Sequence, residues 1–166
     1  MPDERREYLR RAAVRSGATI VAIFVIYFTV PIGNNRWWPP AVVGGAIVIA
    51  TMPLAIRRLR AVIASPFPLL AAAEALALLL AMIVIGFSSV YLALDADEGQ
   101  FSGLGTRIDA LYFTVTTLST VGYGDISATG QVARVVVTLQ IMFNLAFVGI
   151  AVRAFGAAAR RGMPGD

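Results

Sequence analysis

The chain has 166 residues, of which 58% are hydrophobic and 14% are charged, and its mean hydropathy is +0.75. These values are typical of a membrane protein. The chain has no cysteine and no histidine, which excludes thiolate and imidazole catalysis and most transition-metal sites, so we expect a protein that is not an enzyme. The net charge of +4 comes from arginine clusters beside apolar runs, and we therefore expect no nucleic-acid partner.

The first sixty residues predict a basic start followed by two membrane helices. Residues 1–16 mix acidic and basic side chains at spacings where opposite charges meet across a helical turn, which predicts a short surface helix in a cytoplasmic segment. Residues 17–60 predict a transmembrane helical hairpin, because apolar runs flank the interfacial pair Trp37 and Trp38. A secretory signal peptide is the alternative for the first run, but no small-residue cleavage site follows it.

Residues 66–156 predict a second membrane unit with one segment too short to cross the bilayer. We expect an outer helix over 68–94 and an inner helix over 131–154, each long enough to span. Between them, 107–119 predicts a re-entrant pore helix, which opens with Thr106 and Asp109 at the spacing of a capping box. Residues 157–166 predict a cytoplasmic tail. The expected fold is an all-α membrane protein with four transmembrane helices and one re-entrant loop.

The positions of the arginines predict the orientation of these helices. Arginines cluster before the first helix, after the second, and after the fourth. Positive residues stay on the cytoplasmic side, so we expect a multi-pass protein of the cell (plasma) membrane with both termini in the cytoplasm. The re-entrant loop then enters from outside. Arg57, Arg58 and Arg60, which follow the second helix, are also candidates for binding the head groups of anionic membrane lipids.

Residues 120–125 read Thr-Val-Gly-Tyr-Gly-Asp. An ion sheds its water only where several oxygens replace it, and backbone carbonyls do so when successive C=O groups point to one side. Gly122 and Gly124 adopt positive φ at low cost, so interleaving them with Val121 and Tyr123 turns successive carbonyls toward one axis. The first five letters are also the pentapeptide known from potassium-channel filters. The chain thus resembles the potassium channel pore family, specifically its bacterial members with one pore loop per chain.

The resemblance extends over about residues 69–161 and implies a function and an assembly. It implies that the ion-binding filter consists of Thr120, Val121, Gly122, Tyr123 and Gly124, with K+ held by the first four. Potassium is then the permeant ion, and no cofactor is implied. One strand supplies a quarter of each oxygen ring, so the resemblance implies a homotetramer that conducts potassium passively.

Four residues are expected to support the filter: Asp125, Tyr112, Phe113 and Thr116. Asp125 follows the filter and is expected to brace it from behind. Tyr112 and Phe113 take positions where family members commonly carry aromatics around the filter, although ordinary core aromatics fit the pattern equally well. Thr116 takes the position of a glutamate that many members carry.

Polar and small residues of the inner helix are candidates for the cavity and the gate. Gln140 and Asn144 lie four residues apart on one face, where they either face a water-filled cavity or form hydrogen bonds between helices. We favour the cavity. Gly149 is either a gating hinge or a packing glycine, and we favour packing.

Two other functions fit parts of the pattern. A weakly selective cation channel is possible because the surroundings of a filter also determine its selectivity. A non-conducting scaffold or regulatory subunit with a degenerate pore is the second, and the intact Gly122, Tyr123 and Gly124 argue against it.

Overall fold

The protein consists mainly of helices. A computed structural model describes residues 2–29, 38–63, 68–96 and 100–162. The elements in chain order are α1 (Pro2–Thr29), α2 (Trp38–Ile63), α3 (Pro68–Asp95), β1 (Phe101–Ser102), α4 (Arg107–Leu118), β2 (Ser127–Ala128) and α5 (Gln131–Gly162). This mostly helical architecture confirms the class that the apolar runs predict.

The first and last helices are longer than the sequence predicts. α1 continues through Gly17, where we expected a surface helix to end and a membrane helix to begin. A single glycine does not end it, because glycine inside a helix costs only about 1 kcal/mol relative to alanine. α5 continues to Gly162, beyond the expected end at 154 and into the segment expected to be a tail. Residues 163–166 of that tail lie outside the described residues.

α2 begins at Trp38 and has Pro39 and Pro40 in its first turn. Proline is tolerated there because the N–H groups of a first turn have no partner within the helix. The expected interfacial turn at Trp37 lies outside the described residues, as do the connections 64–67 and 97–99.

Among the described residues, two apolar stretches are long enough to cross a membrane: Leu70–Asp95 in α3 and Gln131–Arg153 in α5. The apolar stretches of α1 and α2 are shorter, Ser16–Thr29 and Val42–Thr51. The two long stretches differ in burial, since 61% of the most apolar part of α3 lies inside the subunit but only 11% of that of α5. α5 therefore leaves most of its apolar surface to contacts outside the subunit.

α3 is the central helix and contacts α1, α2, α4 and α5. It crosses α2 most closely at Gly44 and Gly86. A Cβ added at Gly44 would lie 2.7 Å from the Gly86 carbonyl oxygen and 2.9 Å from the Ser89 Cβ, closer than side chains pack, whereas nothing lies within 4 Å of the same position at Gly45. Gly44 therefore permits the close packing of α2 on α3, as small residues do between membrane helices.

An aromatic cluster joins α3 to the middle of α4. Its ring centroids are 5.2 Å apart for Tyr91 and Phe113, 5.4 Å for Tyr91 and Phe101, and 5.6 Å for Phe101 and Phe113. All three pairs have the edge-to-face geometry that aromatic quadrupoles favour. A second, smaller cluster packs Ala72 and Leu76 of α3 against α5. Because α4 and α5 pack on the same helix, α3 sets their relative position.

Two short strands close the segment that contains α4. β1 pairs antiparallel with β2, and Phe101 lies opposite Ala128. The Gln100 carbonyl accepts hydrogen bonds from the Thr129 N–H at 3.0 Å and from the Gly130 N–H at 3.1 Å. The sequence did not predict these strands, because a pair of two-residue strands has no detectable alternation. The pairing brings together the two ends of the segment between α3 and α5.

Candidate functional site

α4 begins with a reciprocal cap. The Thr106 hydroxyl accepts a hydrogen bond from the Asp109 N–H at 3.1 Å, and the Asp109 carboxylate accepts one from the Thr106 N–H at 2.8 Å. The predicted capping box is confirmed. The hydrogen bond from the Thr106 hydroxyl is the main cause that lowers the pKa of Asp109 below its usual value. The carboxylate is therefore charged at neutral pH beside the positive end of the helix dipole.

The segment after α4 has an alternating backbone. φ is +59° at Thr120, +54° at Gly122 and +82° at Gly124, while Val121 and Tyr123 have negative φ. In a regular β-strand, successive carbonyl groups point to opposite sides. This alternation of φ turns them toward the same side of the chain. The sequence predicts positive φ at the two glycines but not at Thr120. The left-handed conformation costs a non-glycine residue about 1–2 kcal/mol, so the surrounding structure must hold Thr120 in place.

Hydrogen bonds from backbone N–H groups tie this segment to the end of α4. The Thr116 carbonyl accepts from the Val121 N–H at 3.0 Å and from the Gly122 N–H at 3.4 Å, and the Thr117 carbonyl accepts from the Thr120 N–H at 3.2 Å. These bonds use the N–H groups of Thr120, Val121 and Gly122, and no backbone hydrogen bond among the described residues engages the carbonyl oxygens of the segment. A row of backbone oxygens on a fixed support can bind a cation that has lost its water.

Residues 119–125 are exposed within the single subunit. The Val121 side chain is 52% exposed and the Tyr123 side chain 70%. Apolar and aromatic side chains exposed in one short segment mark a contact surface, so the segment has a face that its own subunit does not cover.

The adjacent aromatics Tyr112 and Phe113 have different surroundings. The ring of Tyr112 is parallel to that of Tyr123, with 6.3 Å between centroids and 5° between planes. The Asp125 carboxylate beside its hydroxyl raises the pKa of Tyr112. Phe113 is buried in the aromatic cluster on α3 instead. Of the two alternatives that the sequence leaves open for Phe113, its own subunit shows the ordinary core aromatic. Consecutive helical residues point about 100° apart, so Tyr112 and Phe113 have different neighbours.

Thr116 contributes through its backbone. Its buried hydroxyl donates to the Phe113 carbonyl at 3.0 Å within the helix, while its carbonyl accepts the two filter N–H groups. Among the described hydrogen bonds, the Thr116 side chain makes none with Asp125. Tyr112 lies beside Asp125 instead.

The inner-helix candidates do not share one environment. Gln140 is fully buried and donates to the Thr114 carbonyl at 3.0 Å. Gln140 therefore forms a hydrogen bond between helices, and the prediction that it faces a cavity is wrong. Asn144 is 6% exposed and donates to the Thr117 carbonyl at 3.4 Å. Gly149 is exposed, with nothing within 4 Å of an added Cβ, so it packs against none of the described residues of its own subunit outside its helix.

Sequence reasoning missed a buried polar network behind α4. Ser88 of α3 donates to the Thr114 hydroxyl at 3.0 Å, and the Tyr91 hydroxyl donates to the Gln140 side-chain oxygen. Both α3 residues are buried. Polar residues three positions apart in a long apolar helix were the available signal, since a polar group in a membrane helix normally has a specific partner.

A second missed contact joins α1 to the start of α4. The Tyr27 hydroxyl donates to the Arg107 carbonyl at 2.9 Å, and the Arg107 guanidinium donates to the Tyr27 carbonyl. The guanidinium carbon also lies 6.0 Å from the centroid of the Tyr27 ring. No pattern in the sequence joins two residues that are 80 positions apart.

Comparisons with known proteins connect this geometry to a family. The family model for ion channels matches residues 77–161, which is 85 of 166 residues. The two pore potassium channel b of Oryza sativa subsp. japonica is 38% identical over 73 residues, which are 43% of this chain and 20% of that protein. Potassium channel AKT2/3 of Arabidopsis thaliana is 45% identical over 38 residues, 23% of this chain and 5% of that protein.

Two-pore potassium channel 5 of Arabidopsis thaliana is 30% identical over 79 residues, 46% of this chain and 18% of that protein. The chain thus spans a fifth or less of the length of these relatives. No solved structure matches it.

Proposed function

The chain belongs to the ion channel family, which is not a class of enzymes, and from this premise we propose that it is a subunit of a potassium-selective channel. The alternating φ over 120–124 carries the proposal. Such a strand offers carbonyl oxygens at regular steps, which replace the water around a potassium ion. The coordinating carbonyls are those of Thr120, Val121, Gly122 and Tyr123, together with the Thr120 hydroxyl. Gly124 ends the filter.

The end of α4 supports the passage of cations. The C-terminus of a helix carries partial negative charge, and among the described residues no basic side chain lies in the last turn of α4. Since the filter begins directly after this turn, a cation leaving the filter passes near that charge. The dipole favours cations over anions but does not distinguish potassium from sodium, so the discrimination belongs to the carbonyl oxygens.

The surface of α5 supports an assembly of four copies. Its most apolar part is almost entirely unburied within the subunit. The exposed apolar side chains of α5 are Val132, Val135, Leu139, Ile141, Met142, Leu145, Val148 and Val152. One chain supplies only one filter strand, and a ring of oxygens around an ion needs several. We therefore place four copies around one axis, the arrangement expected of bacterial members with one pore loop per chain.

The proposed membrane arrangement has four crossing helices. α3 and α5 supply two of them, and we add the apolar halves of α1 and α2. The β1–β2 pair then lies on the outer side, both termini lie in the cytoplasm, and the protein belongs to the cell membrane. Arg57 is exposed and, with Arg58 and Arg60, gives the cytoplasmic side a basic cluster suited to anionic lipid.

Cation flux into liposomes tests the proposal. The purified protein is reconstituted and exposed to potassium or sodium gradients as wild type, as Gly122→Ala and as Gly105→Ala. Gly122 has positive φ, whereas nothing lies within 4 Å of an added Cβ at Gly105. We expect potassium flux that sodium does not replace, lost in Gly122→Ala and retained in Gly105→Ala. Equal sodium flux identifies the weakly selective channel, and a Gly122→Ala variant that conducts like wild type contradicts the assignment of the filter.

A further inference from the structure

We propose that Gln140 and Asn144 form an amide clamp, in which two side chains of α5 hold the last turn of α4 and thereby set the position of the filter. The inference rests on the proposed function of residues 120–124. It assigns the two amides to the support of the filter from behind, within their own subunit, and makes them positioning residues that do not touch the ion.

Gln140 forms the first half of the clamp. The Tyr91 hydroxyl donates to its side-chain oxygen, which leaves the side-chain nitrogen as the group that faces the Thr114 carbonyl. An amide has one accepting and one donating end, so the bond with Tyr91 fixes which end meets α4. The side chain is fully buried. Gln140 is therefore held in one orientation and links α3, α4 and α5 at a single point.

Asn144 forms the second half, one helical turn further along α5. Its side-chain nitrogen donates to the Thr117 carbonyl, but its side-chain oxygen is buried and has no hydrogen-bond partner among the described residues. A buried unpaired acceptor lowers stability. Tight packing alone does not explain an amide here, because leucine has the same branched shape and leaves no polar atom unpaired. The donor to Thr117 is the feature that only the amide supplies.

The two contacts lie on either side of the carbonyl that holds the filter. Thr114 and Thr117 flank Thr116, whose carbonyl accepts hydrogen bonds from the Val121 and Gly122 N–H groups. The clamp therefore acts on the filter through one intermediate residue. A displacement of α5 at this level changes the position of the last turn of α4 and, with it, the spacing of the carbonyl oxygens. The arrangement couples the inner helix to selectivity.

The test removes each donor while keeping the length of the side chain. Gln140→Met and Asn144→Leu are reconstituted in planar bilayers with potassium on one side and sodium on the other, and the reversal potential gives the permeability ratio. This potential does not depend on the number of folded channels. Gln131→Met is the matched control, because Gln131 is exposed at the start of the same helix. We expect each clamp variant to raise the sodium-to-potassium permeability ratio about tenfold, the effect of one lost hydrogen bond, and the control to leave it unchanged.

A melting curve of each assembled variant separates positioning from simple structural support. Asn144→Leu also removes the unpaired oxygen, so we expect it to melt no lower than wild type and still to lose selectivity. If the wild type is selective and both clamp variants keep its ratio, the clamp is wrong and the proposed function stands. If the wild type does not distinguish the two ions, the proposed function fails and the clamp fails with it.

Discussion

The proposed filter segment and the first two helices, α1 and α2, are held in place in different ways. The segment of residues 106–125 is fixed by a helix cap and backbone hydrogen bonds between residues close in sequence, and also by contacts of α4 with α3 and α5. α2 is held by the close contact of Gly44 with Gly86 of α3, and α1 by the contact of Tyr27 with Arg107. We infer that the first region carries selectivity and that α1 and α2 add stability. Variants of each region test that division.

The largest effect is expected for Phe113→Ala, because Phe113 is buried in the aromatic cluster that joins α4 to α3. Truncating a buried aromatic ring costs about 3 kcal/mol, and α4 also loses its support. We expect a large fall in the melting temperature and a raised sodium-to-potassium permeability ratio. Phe28→Ala is the control, because Phe28 lies in α1 and its ring is exposed. A Phe113→Ala variant as selective as wild type would show that the cluster does not position the filter.

A smaller effect is expected for Gly44→Val, which forces a side chain against the Gly86 carbonyl. Overpacking of this kind costs about 2 kcal/mol. We expect a lower melting temperature with an unchanged permeability ratio, and no change of either quantity for the neighbouring control Gly45→Val. A loss of selectivity in Gly44→Val would mean that α2 helps to form the filter, contrary to the division above.

Tyr27→Phe is expected to have an effect of about 1 kcal/mol, because it removes the hydroxyl that donates to the Arg107 carbonyl and keeps the ring. The melting temperature should fall slightly and the permeability ratio should stay constant. Thr29→Val is the control, since the Thr29 hydroxyl bonds only within α1 to the Val25 and Ile26 carbonyls. Equal melting temperatures for Tyr27→Phe and wild type would show that the hydrogen bond from Tyr27 to Arg107 does not stabilise the fold.

The smallest effect concerns the cap of α4 and depends on pH. The lowered pKa of Asp109 means that its ionised form stabilises the fold. That stability is complete above the ordinary pKa of a carboxyl and is lost as the pH falls through the lowered value. Wild type should therefore melt above Asp109→Asn at about pH 7, and the gap should narrow toward about pH 3. A gap that does not depend on pH would show that the charge of Asp109 is irrelevant.

The sequence predicts the parts of the site that depend on neighbours along the chain. The capping box of Thr106 and Asp109 and the mostly helical architecture are confirmed. Positive φ at Gly122 and Gly124 follows from the absence of a side chain. Thr120 could not be predicted to share it, because its side chain disfavours positive φ and only the structure shows this conformation.

Contacts between distant helices were not predictable in the same way. Tyr112 and Phe113 are equivalent in sequence, and only the rotation of α4 against α3 decides which of them faces Tyr123. The orientation of Gln140 depends likewise on Tyr91, which is 49 residues earlier. The sequence did not predict that α1 continues through Gly17, because the change from charged to apolar residues there does not by itself end a helix.

The central claim is that residues 120–124 select potassium in a pore of four copies. The most direct measurement is the reversal potential of the wild-type protein in a planar bilayer with potassium on one side and sodium on the other. The account predicts a potential near that of a membrane permeable to potassium alone. A potential near zero with a clear current would contradict it, because an ordered carbonyl filter would then pass both ions equally.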